Sequence, residues 1–183
     1  MATIFMSFIH EEEWAATFVN HFISEVLGPG IDVFRSSSDS AIYAGDDWMM
    51  RIFEELKTAK LLVSMLSPAS VQRPWINFEA GAAWMGNTKV IPVCFDGLTI
   101  ETLPKPYSSL QAVEINTNDG AHYLASSIAH HLSIASPPKP RFTPRIGGAL
   151  GGGETPEEKA QRMPYERLNT LLKLDSKIRA SKE

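Results

Sequence analysis

The chain has 183 residues and a net charge of −4, with 44% hydrophobic and 21% charged residues, the profile of one soluble globular domain plus an appendage. Its single cysteine, Cys94, excludes an internal disulfide and a cysteine-rich zinc site, and fits a reducing cytoplasm. No apolar run reaches the roughly 18 residues of a membrane helix, and the N-terminus lacks the basic start of a secretory signal.

The first 136 residues alternate between strand and helix patterns. Thr3–Ile9 is predicted as a buried strand. His10–Leu27 follows as an amphipathic helix, with Trp14, Phe18 and Phe22 at helical spacing, and Gly28-Pro29-Gly30 stops it. Ile31–Arg35 is a short strand and Ser36–Gly45 a polar loop. Asp46 or Asp47 starts a helix through Lys57, with Met49, Ile52, Phe53 and Leu56 on one face. Leu61–Leu66 is a continuous apolar run, the mark of a strand covered on both faces.

Ser67–Arg73 is a loop, after which Pro74 opens a helix that Gly86-Asn87 closes. Val90–Phe95 is another buried strand, holding Cys94. A loop with Pro104 and Pro106, a short strand at Ala112–Ile115 and a helix at Asp119–Ile134 complete the pattern. Five strands alternating with helices imply a doubly wound parallel sheet in a three-layer α/β/α sandwich. Ligands of such sheets sit beyond the carboxyl ends of the strands.

Beyond Ser136 the character changes. Residues 137–156 read as a Pro/Gly-rich linker and residues 157–183 as a charged helical tail with Leu168, Leu171, Leu172 and Ile178. The tail is too sparse to fold alone. Gly147–Gly153 follows a proline-rich stretch instead of a strand, so it is not read as a phosphate loop. Residues 1–136 carry 7 Lys/Arg against 15 Asp/Glu, and residues 137–183 carry 10 against 6. The acidic body disfavours direct nucleic-acid binding. The basic tail is either solvated or docked on the body, a partner protein or a membrane surface.

Glu79 is the most informative residue. It is the only ionisable side chain between Arg73 and Lys89, in a segment that is otherwise apolar, small or aromatic. A lone carboxylate there must be paired, neutralised or held in a cleft. Trp75, four residues earlier, shares its helix face. On these grounds Glu79 is equally a functional cleft residue or a structural carboxylate. His130-His131 lacks the i, i+4 spacing of metal-binding helices and reads as a surface pair; no metal ligand set is expected.

Trp75-x-x-x-Glu79 with Phe78-Glu79-Ala80-Gly81-Ala82 resembles the catalytic-helix signature of TIR (Toll/interleukin-1 receptor-like) domains of bacterial type. Further resemblances follow in order: Phe5-Met6-Ser7, Val33-Phe34-Arg35-Ser36, Gly45-x-x-Trp48, Leu66-Ser67-Pro68 and Val90-Ile91-Pro92-Val93. They cover about residues 3–134. The resemblance implies a flavodoxin-like fold and one of two functions. Some TIR domains cleave NAD at the nicotinamide–ribose bond, using the glutamate that corresponds to Glu79. Others are scaffolds that signal by self-association.

For the enzymatic reading, NAD is the substrate and no cofactor is required. The resemblance places Ser7, Phe8, Arg35, Trp48 and Trp75 around the substrate. Residue chemistry leaves alternatives: Phe8 and Trp75 suit the core equally, and Arg35 suits solvent. Ile9 and His10 stand where many members carry basic or polar residues, so phosphate contacts there are not carried over. The resemblance further implies a cytoplasmic protein of a defence or host-manipulation system, activated by self-association, with the tail as a possible partner-binding element. A third alternative is cleavage of another N-glycosidic nucleotide.

Overall fold

Hydrophobic runs covered on both faces make strands that lie inside a sandwich. The structure, a computed structural model, describes residues 3–36, 48–116, 118–139 and 164–172; the side chains of Trp48 and Asn118 lie outside that part. The strands are β1 (Ile4–Ser7), β2 (Val33–Arg35), β3 (Leu61–Leu66), β4 (Lys89–Cys94) and β5 (Val113–Glu114). All neighbours pair in parallel, in the order β2-β1-β3-β4-β5. This is the flavodoxin-like order, in which the chain reverses direction across the sheet between β1 and β3.

The helices are α1 (Glu13–Leu27), α2 (Trp48–Thr58), α3 (Pro74–Met85), α4 (Asn118–Leu132) and a tail helix α5 spanning residues 164–172. One apolar core joins Ile4, Met6, Val63 and Val93 of the sheet to α1 and α4. On the other face, Phe5 and Leu62 meet Ile52 and Leu56 of α2 and Ala83 of α3. The three-layer expectation therefore holds.

Most elements lie where the pattern puts them. Leu61–Leu66 is reproduced without change, and all six residues are buried. Pro74 begins α3 and Gly86 caps it, while Asn87 takes φ 60°, a left-handed value that asparagine tolerates. The first helix starts later than expected, because His10–Glu12 form a tighter 3-10 turn. β5 shrinks to two residues at the sheet edge. The Ser67–Arg73 loop contains a 3-10 turn at Ser70–Gln72. The proposed helix starts Asp46 and Asp47, most of the polar loop, and residues 140–163 and 173–183 lie outside the described residues.

The tail does dock on the body. Tyr165, Leu168 and Leu172 of α5 enter the α1/α4 core, and Tyr165 meets Phe22 edge-on with ring centroids 5.0 Å apart. Arg167 adds an ion pair of 2.6 Å with Glu25 of α1. Among the described residues no helix is long and apolar enough to cross a membrane, and no cluster could hold a metal ion.

Candidate active site

Two features of the sequence bring Glu79 to the middle of the sheet's carboxyl end. α3 follows β3, so its first turns lie beside the ends of β3 and β1. Alternation along β1 turns Phe5 and Ser7 to the α2/α3 face and Ile4 and Met6 to the α1/α4 face, which Phe8, just past the strand, also joins. Ser7 and Glu79, 72 positions apart, therefore meet at the reversal point of the sheet.

The contact is close. The Ser7 hydroxyl donates to Glu79 Oε2 at 2.5 Å, and the Trp75 indole N–H donates to Oε1 at 2.9 Å. Each carboxylate oxygen thus has one donor, neither of them charged. Glu79 is 0% exposed. Burial drives its pKa from the ordinary 4.5 up to about 7, although the Ser7 and Trp75 hydrogen bonds pull it down. Near neutral pH the group is divided between acid and carboxylate, the range suited to a residue whose charge is used in chemistry.

Trp75 stacks on Phe78, with centroids 5.3 Å apart, and Phe78 meets Phe53 of α2. These rings wall the outer side of Glu79. Below it, Tyr107, on a 3-10 turn between β4 and β5, donates its hydroxyl to the Ile76 carbonyl at 3.1 Å. Burial raises the Tyr107 pKa, and the Glu79 charge adds to the rise. Tyr107 was not expected here; in the sequence it is one aromatic residue in a proline loop.

A second buried carboxylate lies at the same end of the sheet. Glu12 is 5% exposed and accepts a hydrogen bond from the Ser67 hydroxyl. Ser67 in turn accepts from the Ala69 and Ser70 backbone N–H groups. Beside it Arg73 pairs with Glu11 at 3.2 Å. These links fasten the loop after β1 to the loop after β3, which carries α3. Nothing in the run Glu11-Glu12-Glu13 distinguishes the buried member.

Two other expected residues, Phe8 and Arg35, lie apart from the Glu79 carboxylate. Phe8 is 1% exposed in the α1/α4 core. Arg35 turns to the same side and donates to the Thr17 hydroxyl of α1 at 3.0 Å. Trp48 opens α2, and its side chain lies outside the described residues. The structure thus brings together Ser7, Trp75 and Glu79 of the expected set, and adds Tyr107.

A parallel sheet in flavodoxin-like order, with a buried carboxylate at its reversal point, defines an α/β domain with a site on the α2/α3 side. The chain belongs to the TIR domain family, whose model matches residues 4–127. Among curated proteins none matches it. Among the solved structures that share the fold are two of receptors from C. gigas. A metazoan TIR-STING receptor from C. gigas in complex with 2′,3′-cGAMP is 20% identical over 73% of this chain and 40% of its own, with a TM-score of 0.53. A second structure of a metazoan TIR-STING receptor from C. gigas is 19% identical over 76% of this chain and 42% of its own, with a TM-score of 0.51. This chain spans less than half of either receptor.

Proposed function

We propose that the protein is an NAD glycohydrolase that breaks the nicotinamide–ribose bond, with Glu79 as the catalytic residue. The observation that carries this reading is Glu79 itself: fully covered, at the reversal point of the sheet, with a pKa of about 7. The pyridinium of NAD is a cation. Brought beside Glu79, it favours the carboxylate form and offsets the burial that opposes it. As the bond to nicotinamide lengthens, positive charge moves to the ribose, as in glycoside cleavage. The carboxylate then stabilises an oxocarbenium-like centre. Nicotinamide leaves neutral, so no second acid is needed to protonate it.

Trp75 and Ser7 hold the two carboxylate oxygens and fix their direction. Because Glu79 is covered, substrate entry requires Trp75 to swing away from Oε1 and exchange that hydrogen bond for the ribose hydroxyls. Water adds to the ribose carbon and loses a proton to give ADP-ribose beside nicotinamide, or an adenine nitrogen adds there to give the cyclic form, and the setting is bacterial defence or host manipulation. Incubating the full chain with NAD across a range of protein concentrations tests the reading. Nicotinamide release that disappears in Glu79→Gln is the expected result. No release at any concentration, or full turnover in Glu79→Gln, refutes it.

One observation favours a scaffold reading, and equally an enzyme that works as an assembly. The outer faces of α2 and α3 leave Met49, Met50, Phe78 and Met85 between 43% and 90% exposed. Apolar surface on neighbouring helices marks a contact surface, and TIR–TIR association through it would raise local concentration. Sedimentation beside turnover separates the two: a scaffold associates without releasing nicotinamide.

A further inference from the structure

Among the described residues, the first half of β4 has no partner strand on its outer side. β5 pairs only with Val93 and Cys94, so Lys89 to Ile91 extend past the last strand of the sheet. Two adjoining cavities fill the space. One, of about 390 Å³, is walled by Tyr123, His130 and His131 of α4. The other, of about 260 Å³, reaches Lys89 and Trp84 at the end of α3. Val90 and Leu110 line both, which makes a single trough. It sits at the amino end of the sheet, opposite Glu79.

The chemistry of the trough is unlike that of the surrounding body. Val90, Ile91 and Leu110 lay an apolar strip along its floor, and Tyr123 and Trp84 stand 48% and 54% exposed at its two ends. Lys89 lines one cavity and the His130–His131 pair the other, the two imidazoles 5.2 Å apart, and among the described residues no Asp or Glu lines either cavity. Lys89 supplies a positive charge on an acidic body, and the two imidazoles add ring N–H donors. His131 is held below its ordinary pKa by burial, and by the charges of His130 and Lys89. An anion seated among the three would reverse those last two effects. An exposed aromatic ring beside an apolar floor offers a stacking platform for a flat heterocycle.

We propose that this trough is a second ligand site, separate from Glu79, for a mononucleotide-class molecule. The phosphate lies among Lys89, His130 and His131. The base rests on Tyr123 or Trp84 over Val90 and Leu110. The site involves no bond-making; it binds. It is independent of the NAD-cleaving reading, because its readout is occupancy.

The test follows the imidazole proton signals of His130 and His131 in the full chain by NMR, assigned with His130→Gln and His131→Gln. Lys89, His130 and His131 are all exposed, so the variants leave the fold intact. AMP should move both signals saturably, with half-saturation below about 1 mM, and raise the His131 pKa. Adenosine, lacking the phosphate, should bind about tenfold more weakly or worse, and Lys89→Ala should weaken AMP by a similar factor. The response should persist in Glu79→Gln, which excludes transmission from the other end of the sheet. No saturable movement at about 10 mM AMP, or unchanged AMP affinity in Lys89→Ala, overturns the site. Equal responses to inorganic phosphate and AMP overturn the nucleotide class.

Discussion

Replacing Glu79 by glutamine should make the protein more stable, and increasingly so as pH rises. The isostere keeps both hydrogen bonds: its amide oxygen accepts from Trp75 and its NH2 donates to the Ser7 hydroxyl. It removes only the titration. In the unfolded chain Glu79 ionises around 4.5, and in the folded protein at about 7. Below 4.5 both states hold the proton and the group has no effect on stability. Between 4.5 and 7 the unfolded state is favoured progressively, because only it has ionised. Above 7 the full penalty stands. At about 1.4 kcal/mol per pH unit, the penalty is about 3 kcal/mol.

Urea denaturation of wild type and Glu79→Gln measures this at about pH 4, 6 and 8. Every other carboxylate is common to both proteins, so the difference isolates position 79. It should be near zero at pH 4, about 2 kcal/mol at pH 6 and about 3 kcal/mol at pH 8, in favour of glutamine. A difference that does not change with pH, or a variant less stable than wild type at pH 8, refutes the burial argument. Combined with lost turnover, the gain would mark Glu79 as a residue retained at the expense of stability.

Three further outcomes follow from other contacts. Ser7→Ala removes a donor from the carboxylate, so it should raise the Glu79 pKa further and destabilise more at pH 8 than at pH 4, by about 1.5–3 kcal/mol at the higher pH; equal losses at both would contradict the hydrogen bond's role. The Tyr165 hydroxyl is buried without a hydrogen-bond partner among the described residues, so Tyr165→Phe should leave the urea midpoint unchanged or raise it, and a loss above about 1 kcal/mol would be inconsistent with that picture. Met85→Ser, at 90% exposure, should change stability by less than about 0.5 kcal/mol while lowering the sedimentation coefficient at high concentration, if the α3 face mediates association. Unaltered sedimentation would move the association surface elsewhere.

What the sequence made legible depended on how locally each feature is set. β3 is covered on both faces, and its continuous apolar run needs no partner to be recognised. The limits of α3 are set by Pro74 and Gly86, which act on the backbone where they stand. Glu79 was conspicuous because its neighbours carry no other charge. Its partners were less so, since Ser7 depends on which strands adjoin. Ser7 and Phe8 were both expected at the substrate, yet consecutive strand residues face opposite sides, so only one could meet α3. The same alternation sends Phe34 toward α2 and Arg35 toward α1. Glu12 and Tyr107 owe their burial to distant loops that no spacing in the chain encodes. The tail showed its leucines but not the groove between α1 and α4 that receives them.

The place of β1 in the sheet has a consequence for how the molecule comes into being. β1 lies between β2 and β3, both of which come later in the chain. A ribosome therefore delivers Ser7 long before it delivers Glu79. The early strand has two unfilled flanks until β2 and then β3 emerge, and contacts that close long loops form slowly. During that interval the glutamate, once made, is in water with an ordinary acidity. Only when β3 docks and α3 folds across it does the carboxyl group leave solvent and, near neutral pH, become divided between acid and carboxylate. Birth of the site and the flanking of β1 by its second neighbour are thus one event, and a chain stalled between β2 and α3 carries no site at all.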